Sequence, residues 1–385
     1  MKSVIDRMKE TDAEAKRASF QVKQQMPYEF KVKYARIRAW EFYNHPEIAG
    51  NCYVSVGGLD SITLLCFLRS IGLGCVPAAS VSALEDKSIQ AVHKQLGVEA
   101  LNPLKSKVEV IREFGWPVLS KELAGKISHL QRPSEKNATV RHAIITGETG
   151  AYGGYRKGTR MKMSQKWLEL FGGYENEREG VHYRAPDFLV SDKCCYYLKE
   201  KPCADYAKRT GRYPYLGMMA SEGGRRAKSL PETGCNYISP GTKRSCPFAI
   251  FSRQDLLQLA LDLRVPVPEI YGGIVRGPDG KLRTTGEQRT GCSMCGFGMN
   301  IPAERKRPHR FDRLWERSPS EWKMWMHHVD RLPDGTWYGW GHVLDYIGVE
   351  WREPWAQFEA QMELDAWKGE QGRGMDQRKG PAAGI

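Results

Sequence analysis

Hydrophobic and polar positions predict strands that alternate with helices in the first half of the chain. A β-rich run at 51–56 leads through a glycine turn into the helical run ITLLCFLRSIG, which ends at Gly72. A second strand is predicted at 75–81, a helix from 83 to 96, and a third strand at 116–120. Alternation of this kind is typical of a parallel α/β sheet.

The second half of the chain is less regular. Residues 131–190 are rich in glycine, arginine and lysine, which predicts a flexible loop followed by a helix from about Ser164. We therefore predict an α/β fold with a doubly wound parallel sheet. The predicted domains are a helical extension at 1–45, an α/β domain at 46–300, a basic, tryptophan-rich helical cap at 301–365 and a disordered tail at 366–385.

Composition narrows the class of protein. Hydrophobic residues make up 41% of the chain and charged residues 27%, as in a globular protein. The net charge of +13 favours polyanionic partners such as nucleic acid, phosphorylated nucleotides or an acidic protein, without choosing among them. The sequence has no run of 18 apolar residues and no apolar secretory core near its start, so we expect no membrane span and a cytoplasmic location.

The glycine turn after the first strand is a candidate anion site. Glycines let a backbone approach an anion closely, and the amides at the start of the following helix point at it. The predicted binding residues are Ser55, Gly57, Gly58, Leu59, Asp60 and Ser61. Ser61 would add a hydroxyl donor, and Asp60 would hold the loop or a Mg²⁺ ion. The motif is neither a Walker P-loop nor a Rossmann fingerprint, and an ordinary strand-to-helix turn is the alternative.

Two pairs of cysteines are a candidate metal site. Cys194 and Cys195 are adjacent, and Cys292 and Cys295 form a C-x-x-C turn. Disulfides are not expected in a reducing cytosol, whereas two such pairs can supply four thiolates to one metal centre. Arg289 and Lys193 would lower the thiol pKa values. Spacing alone does not separate zinc from an iron–sulfur cluster, or either from two unrelated pairs.

Several motifs resemble one known family. The run from Tyr53 to Ser61 is similar to the S-G-G-x-D-S PP-loop of the adenine nucleotide alpha hydrolase-like superfamily, although Val56 replaces the first serine. The run D-K-C-C at 192–195, the segment at 217–226 and Cys246-Pro247-Phe248 resemble segments of phosphoadenosine phosphosulfate (PAPS) reductase-family proteins, as does the run that starts at Arg310. This resemblance covers roughly residues 48–345.

The resemblance implies a function for the domain at 46–300. It implies that an adenine nucleotide binds at the turn, with Arg225 and Arg226 on its phosphates, and that the enzyme is an oxidoreductase acting on sulfur or a sulfurtransferase. It also implies a [4Fe–4S] cluster on the four cysteines, which are Cys194, Cys195, Cys292 and Cys295; zinc is the alternative. A thiol electron donor or a sulfur-donor protein would be a partner.

The nucleophile of sulfate-assimilation reductases is not found in this sequence. Their C-terminal E-C-G-L-H motif does not occur, and no cysteine follows Cys295. Another thiol would have to act, either Cys203, Cys235 or Cys246 or a thiol of a separate protein. Within the chain Cys235 and Cys246 are the better candidates, because they flank a loop rich in glycine, proline and basic residues. These cysteines are more often structural in such positions.

Two reactions and two non-catalytic roles therefore stay open. The enzyme would reduce PAPS or adenylylsulfate to sulfite, or it would use ATP and Mg²⁺ to adenylate an oxygen on nucleic acid or a small molecule and replace it with sulfur. Alternatively, the protein would bind a nucleotide around a structural cluster or zinc, or bind nucleic acid through the basic run at 305–313 and the tryptophans behind it. The sequence does not indicate an oligomeric state.

Overall fold

A computed structural model describes residues 4–150, 155–156, 161–176 and 181–351. The predicted tail at 366–385 and the end of the predicted cap, after residue 351, lie outside these residues. The helices are α1 Val4–Gln25, α2 Tyr28–Asn44, α3 Leu59–Ser70, α4 Lys87–Gln95, α5 Lys107–Phe114, α6 Lys121–Gln131, α7 Ala138–Thr146, α8 Gln165–Phe171, α9 Lys193–Cys195, α10 Lys201–Thr210, α11 Gly224–Thr233, α12 Arg253–Asp262, α13 Arg310–Arg317, α14 Pro319–His327 and α15 Trp340–Tyr346. A π-helical turn, Tyr196–Glu200, joins α9 to α10.

The strands are short. They are β1 Cys52–Ser55, β2 Ala78–Ser80, β3 Glu99–Ala100, β4 Val118–Leu119, β5 Thr149–Gly150, β6 Tyr155–Arg156, β7 Glu175–Asn176, β8 Val181–His182, β9 Tyr213–Leu216, β10 Asn236–Ser239, β11 Thr242–Ser245, β12 Ile274–Arg276, β13 Leu282–Thr284, β14 Gly296–Phe297, β15 Asp330–Arg331 and β16 Trp337–Tyr338.

The main sheet has six strands in the order β10-β11-β9-β1-β2-β3. Every neighbouring pair in it is parallel except the edge hairpin of β10 and β11. From β1 the chain first adds β2 and β3 on one side, and later β9 and β11 on the other. The prediction of an α/β fold built on a mainly parallel sheet is confirmed at this level, whereas the doubly wound arrangement of its helices stays a prediction.

The glycine turn is held between two buried elements. Strand β1 has parallel neighbours on both sides, and its first three residues are buried, as expected for a central strand of an α/β sheet. Helix α3 begins at Leu59, directly after the turn, and seven of its twelve residues are buried. Because both flanking elements are packed in the core, the turn has a well-defined position.

The chain divides into two compact units. Unit 1 comprises Met1–Val110 and Lys193–Cys295, and unit 2 comprises Ile111–Asp192 and Gly296–Ile385. The main sheet and the predicted site residues belong to unit 1. These units divide the chain at positions other than the boundaries of the predicted domains at 46–300 and 301–365.

The third strand predicted from the sequence does not join the main sheet. Strand β4 lies within the predicted run at 116–120 but pairs in parallel with β14 in unit 2. The strand beside β2 is instead β3, which has only two residues, both exposed. The partner of β4 is far away in sequence, so local pattern alone does not specify it.

The predicted loop at 131–190 contains more helix than expected. Helix α7 lies within it and buries Ala143 and Ile144, and helix α8 begins at Gln165, close to the predicted start. Across the described parts of the chain, no helix is both long enough and apolar enough to cross a membrane.

Candidate functional site

The glycine turn is closed by its own serine. The Gly57 N–H donates to Oγ of Ser61 over 2.7 Å, and the Ser61 hydroxyl donates to the Gly58 carbonyl over 3.0 Å. Ser61 was expected to donate its hydroxyl to a phosphate, and here it spans the turn instead. Two of the predicted binding residues, Gly57 and Ser61, are therefore hydrogen-bonded to each other within the turn.

A tyrosine hydroxyl lies directly on the turn. Tyr271 accepts the N–H of Leu59 over 3.1 Å, and its hydroxyl lies 2.6 Å from Oγ1 of Thr290. A Cβ atom at Gly58 would come within 2.3 Å of the tyrosine oxygen. Gly58 is therefore required by the close approach of Tyr271. Neither Tyr271 nor Thr290 belongs to a local motif, so the sequence alone does not point to these two residues.

The end of β9 also touches the turn. A Cβ atom at Gly217 would lie 2.9 Å from both the nitrogen and the Cα of Ser61, so a side chain at this position would push the turn away. Gly217 opens the segment 217–226 that resembles the PAPS reductase family. The structure thus shows a steric reason for glycine at the start of that segment.

Arginines and carboxylates surround the first turn of α3. Arg253 donates to Asp60 over 2.5 Å and to the Gln288 carbonyl over 3.0 Å. Glu222 accepts from Arg226 and, over 2.9 Å, from Arg289. Burial raises the pKa of Asp60 above its ordinary value; the charge of Arg253 acts in the opposite direction, and that of Glu222 adds to the rise.

The two arginines predicted to bind phosphate, Arg225 and Arg226, differ from each other in their surroundings. Arg226 pairs with Glu222, and its charge acts on Asp60 in the turn. Arg225 is exposed near the start of α11. Asp60, which was expected to hold the loop or Mg²⁺, holds Arg253.

Val56, at the start of the glycine turn, stands where the PP-loop motif has its first serine. Val56 is buried with 6% of its surface exposed, so its side chain serves the core. Oγ of the preceding Ser55 lies 3.9 Å from Sγ of Cys203. Cys203 is thus the cysteine beside the first predicted binding residue.

The two cysteine pairs lie within range of each other's charge. Burial raises the pKa of Cys194 to about 12; Lys107 opposes this rise, and Cys292, Cys295 and Cys195 add to it. The N–H of Cys295 donates to the Cys292 carbonyl over 3.1 Å, which forms the C-x-x-C turn. Over the described residues, however, no group of three or more histidine, cysteine or carboxylate side chains is arranged to hold a metal ion.

Two lysines that were not expected act on these thiols. Burial raises the pKa of Cys292, and the charges of Lys199 and Lys107 oppose the rise. Lys107 also donates to the carbonyl of Ser293 within the C-x-x-C turn. Arg289, which was expected to lower a thiol pKa, pairs with Glu222 instead.

One ion pair connects the glycine turn with the cysteines. Nζ of Lys199 lies 2.7 Å from Oε1 of Glu85, whose side chain is only 4% exposed. A Cβ atom at Gly57 would lie 3.5 Å from the same carboxylate oxygen. Burial acts to lower the pKa of Lys199, but the charges of Cys292, Glu85 and Cys195 outweigh it and raise that pKa above its ordinary value. The glycine turn and the cysteine pairs are therefore neighbours in unit 1.

The two thiols proposed as nucleophiles are buried. Cys235 and Cys246 are 5% and 0% exposed, and burial raises the pKa of each to about 12. The N–H of Cys246 donates to the Cys235 carbonyl over 2.7 Å, so these residues also fix the base of the β10–β11 hairpin. Their surroundings are those of core residues.

The basic run proposed for nucleic acid makes contacts within unit 2. Arg305 donates to the carbonyls of Ile347 and Gly348, and Arg307 pairs with Asp312 at 2.9 Å. Arg310 pairs with Glu304, and Arg313 donates to the carbonyl of Pro308. The arginines of this run thus have structural partners.

The tryptophans that follow this basic run differ in burial. Trp322, Trp325 and Trp340 are buried, whereas Trp337 is 42% exposed.

No protein-family model matches the sequence. No curated protein matches it either. A crystal structure of PAPS reductase from Candida auris, in complex with phosphate, is similar to 65% of this chain and 94% of its own, with 12% identity and a TM-score of 0.31.

Proposed function

We propose that the protein binds an adenine sulfonucleotide at the glycine turn and acts on its sulfur, in the manner of a PAPS reductase. The observation that carries this proposal is the Glu85–Lys199 pair. Its carboxylate lies beside Gly57, and its ammonium group is close enough to Cys292 and Cys195 for their charges to raise the pKa of Lys199. A nucleotide bound at the glycine turn would therefore lie close to the cysteine thiols within unit 1.

The position of the turn in the sheet supports nucleotide binding. In open α/β sheets, ligands bind at the carboxyl ends of the strands where the strand order changes direction. Here that point lies between β1 and β9, and the turn follows β1 directly. The N-terminal end of α3 favours an anion there. The proposed binding residues are Ser55, Gly57, Gly58, Leu59, Asp60, Ser61, Arg225 and Arg226.

The charges around Asp60 favour a sulfonucleotide over ATP with Mg²⁺. The Asp60 carboxylate is already paired with Arg253 at 2.5 Å, so a metal ion would have to replace that arginine. Arg226 and Arg289 add positive charge nearby. Phosphate and sulfate oxygens bind well to arginine, which presents several N–H donors at once.

The thiols fit a cluster by the chemistry of their donors. On binding a metal centre the four cysteines would supply thiolates, and the charges of Lys107 and Lys199, which oppose the raised thiol pKa values, would offset the negative charge. We propose that Cys194, Cys195, Cys292 and Cys295 hold a [4Fe–4S] cluster, with zinc as the other metal that suits four thiolates. When bound, such a cluster can relay electrons or hold sulfur.

The reaction would reduce the sulfonate of PAPS or adenylylsulfate. The bond between sulfur and the phosphate oxygen breaks, sulfite leaves, and two thiols of an external carrier become a disulfide. The phosphate oxygen keeps the negative charge, and the protons of the thiols pass to solvent. The carrier is thus a required partner.

Calorimetric titration of the full chain tests the nucleotide site. We expect PAPS or adenylylsulfate to bind, and ATP with Mg²⁺ to bind more weakly. Gly58→Ala should weaken binding at least tenfold, or by about 1.4 kcal/mol, because a Cβ atom there would block the close approach of the anion to the backbone of the turn. Gly74→Ala is the matched control, since a Cβ there meets no atom within 4 Å.

Two outcomes of this titration would overturn the proposal. Equal affinity of the Gly58→Ala and Gly74→Ala variants, with unchanged circular dichroism, would place the nucleotide elsewhere. Tight binding of ATP that requires Mg²⁺ would favour the thiolation reaction instead. If Gly58→Ala does not fold, Ser61→Ala removes the hydroxyl that spans the turn and tests the same site.

Anaerobic purification tests the metal centre. Iron, sulfide and zinc are measured in wild type, in Cys292→Ala and in Cys75→Ala, which alters an exposed cysteine. We expect iron and sulfide in equal amounts in wild type and Cys75→Ala, and their loss in Cys292→Ala. Stoichiometric zinc without iron would assign the site to zinc, and no metal in any of them would refute the cluster.

A further inference from the structure

We propose that Tyr271 and Thr290 form a latch that closes the glycine turn, and that the ligand's anionic group opens it and thereby releases the C-x-x-C turn. The latch consists of these two side chains. This inference rests on the proposed anion site, and it concerns how that site is regulated.

At the turn, the latch occupies a donor that suits an anion. The Leu59 N–H, in the first turn of α3, donates to the hydroxyl of Tyr271 over 3.1 Å. A phenol oxygen is neutral, whereas the end of a helix dipole favours negative charge, and charged acceptors form stronger hydrogen bonds. An oxygen of a phosphate or sulfate group would therefore compete with the tyrosine for this amide.

The hydrogen bonds of the latch are complementary. Tyr271 is 3% exposed, and its oxygen accepts from Leu59. Its own proton is therefore free to donate to Oγ1 of Thr290, 2.6 Å away. Loss of the contact with Leu59 would leave a buried hydroxyl with only one partner, so displacement of the tyrosine from the turn also disturbs Thr290.

Thr290 connects the latch to the cysteines. It precedes Cys292 by two residues, and a Cβ atom at the intervening Gly291 would lie 3.8 Å from Cβ of Cys295. Gly291 therefore lies close to Cys295, and a change at Thr290 would reach the C-x-x-C turn through this main-chain neighbour.

The main chain around Tyr271 is fixed, so motion is confined to its side chain. Its carbonyl accepts from the N–H of Gly286 over 2.9 Å, and the carbonyl of Ile270 accepts from Glu287 over 2.9 Å. The segment that leads to Thr290 is therefore anchored at 286–287. Between that anchor and Cys292, the hydrogen bond of Thr290 with Tyr271 is a contact that an anion at the turn can change, alongside those of Arg253 with the Gln288 carbonyl and of Arg289 with Glu222.

The substitution Tyr271→Phe removes the hydroxyl of the latch and keeps the aromatic ring that packs in the core. The probe is adenylylsulfate, and affinity is measured by calorimetry on the full chain. We expect the variant to bind about fivefold more tightly, because a competing hydrogen bond of ordinary strength is gone. Thr290→Val, which removes the partner hydroxyl, should act in the same direction. Tyr237→Phe, on strand β10, is the matched control and should bind like wild type.

Hydrogen exchange supplies a second measurement. In wild type, adenylylsulfate should increase amide exchange in 286–295, whereas in Tyr271→Phe exchange there should already be high without it. Unchanged affinity of both latch variants, or a wild-type segment that does not respond to the bound probe, would refute the latch and leave the nucleotide site intact.

The outcomes also separate this inference from the proposed function. If wild type fails to bind but Tyr271→Phe binds, the latch is supported and holds the site closed. If no variant binds adenylylsulfate, the proposed sulfonucleotide site fails, and the latch fails with it. If Tyr271→Phe does not fold, Thr290→Val decides the question.

Discussion

Nε2 of His93 lies 2.8 Å from the carbonyl oxygen of Gly57 in the glycine turn. On the other side of the ring, Nδ1 lies 2.9 Å from Oγ of Ser82. A neutral ring satisfies both contacts, with Nε2–H donating to Gly57 and the serine hydroxyl donating to Nδ1. Burial lowers the pKa of His93, while the Gly57 carbonyl and the charge of Glu85 act to raise it and Lys199 to lower it.

The lowered pKa of His93 predicts a pH dependence. A base whose pKa is lowered by folding stabilises the protein fully above its ordinary pKa of about 6.5, and this contribution is lost as the pH falls below that value. At about pH 7.5, His93→Gln should reduce the free energy of unfolding by about 1 kcal/mol. Urea unfolding at about pH 7.5 and pH 5.5 should show this difference narrowing in acid. A difference that is constant with pH would contradict it.

The Glu85–Lys199 pair predicts an energetic coupling between its two residues. Glu85→Gln leaves Lys199 without its counter-ion, and Lys199→Gln leaves a buried carboxylate without its ammonium partner. Because Lys199 is partly exposed, we expect a coupling free energy of only about 1 kcal/mol. Urea unfolding of wild type, both single variants and the double variant measures it. Strictly additive single effects would show that the pair does not couple.

A second ion pair is more deeply buried and should matter more. Lys31 in α2 lies 2.8 Å from Asp255 in α12, with side chains 7% and 11% exposed. Lys31→Met leaves the carboxylate unpaired and should cost about 3 kcal/mol of stability. Asp255 also accepts from the Ser252 N–H and hydroxyl, and Asp255→Asn keeps an acceptor for them. The double variant Lys31→Met, Asp255→Asn should therefore recover part of the loss in a urea titration, and no recovery would be evidence against the pair.

Thiol alkylation tests whether Cys235 and Cys246 can act as nucleophiles. Burial raises the pKa of each to about 12 and shields both from solvent, so they should resist iodoacetamide at neutral pH in the native protein. Cys75 is exposed and serves as the internal standard that should react. Mass spectrometry of native and urea-unfolded samples measures the ratio. Reaction of Cys235 as fast as Cys75 under native conditions would reopen its catalytic role.

Local sequence signals predicted the strand–turn–helix unit well. The apolar run before Gly57 and the apolar run after Ser61 contain β1 and α3 because both are buried, and burial leaves a direct trace in hydrophobicity. The pairing of β4 with β14 could not be predicted in this way, because it depends on packing between residues distant in sequence.

In the candidate site, too, some residues are predictable from local sequence and others are not. The four cysteines and the turn are recognisable from short motifs. Glu85 and Tyr271 are single residues in unremarkable segments, and their roles arise only when folding brings them to Gly57 and Gly58. The polar loop between Cys235 and Cys246 points to accessible thiols, yet both cysteines pack in the core, which the composition of the loop does not reveal.

The two cysteine pairs stand at the two ends of the segment Lys193–Cys295, which completes unit 1. A metal centre shared by both pairs would tie together the ends of a stretch of roughly one hundred residues, and a cross-link around a loop of that length removes about 4 to 5 kcal/mol of chain entropy from the denatured ensemble. Binding of the metal would then stabilise the folded form of this part of the protein. Chelation should accordingly expose the two ends of the segment, around Cys194 and Cys295, to proteases before β9 and β11 leave the sheet.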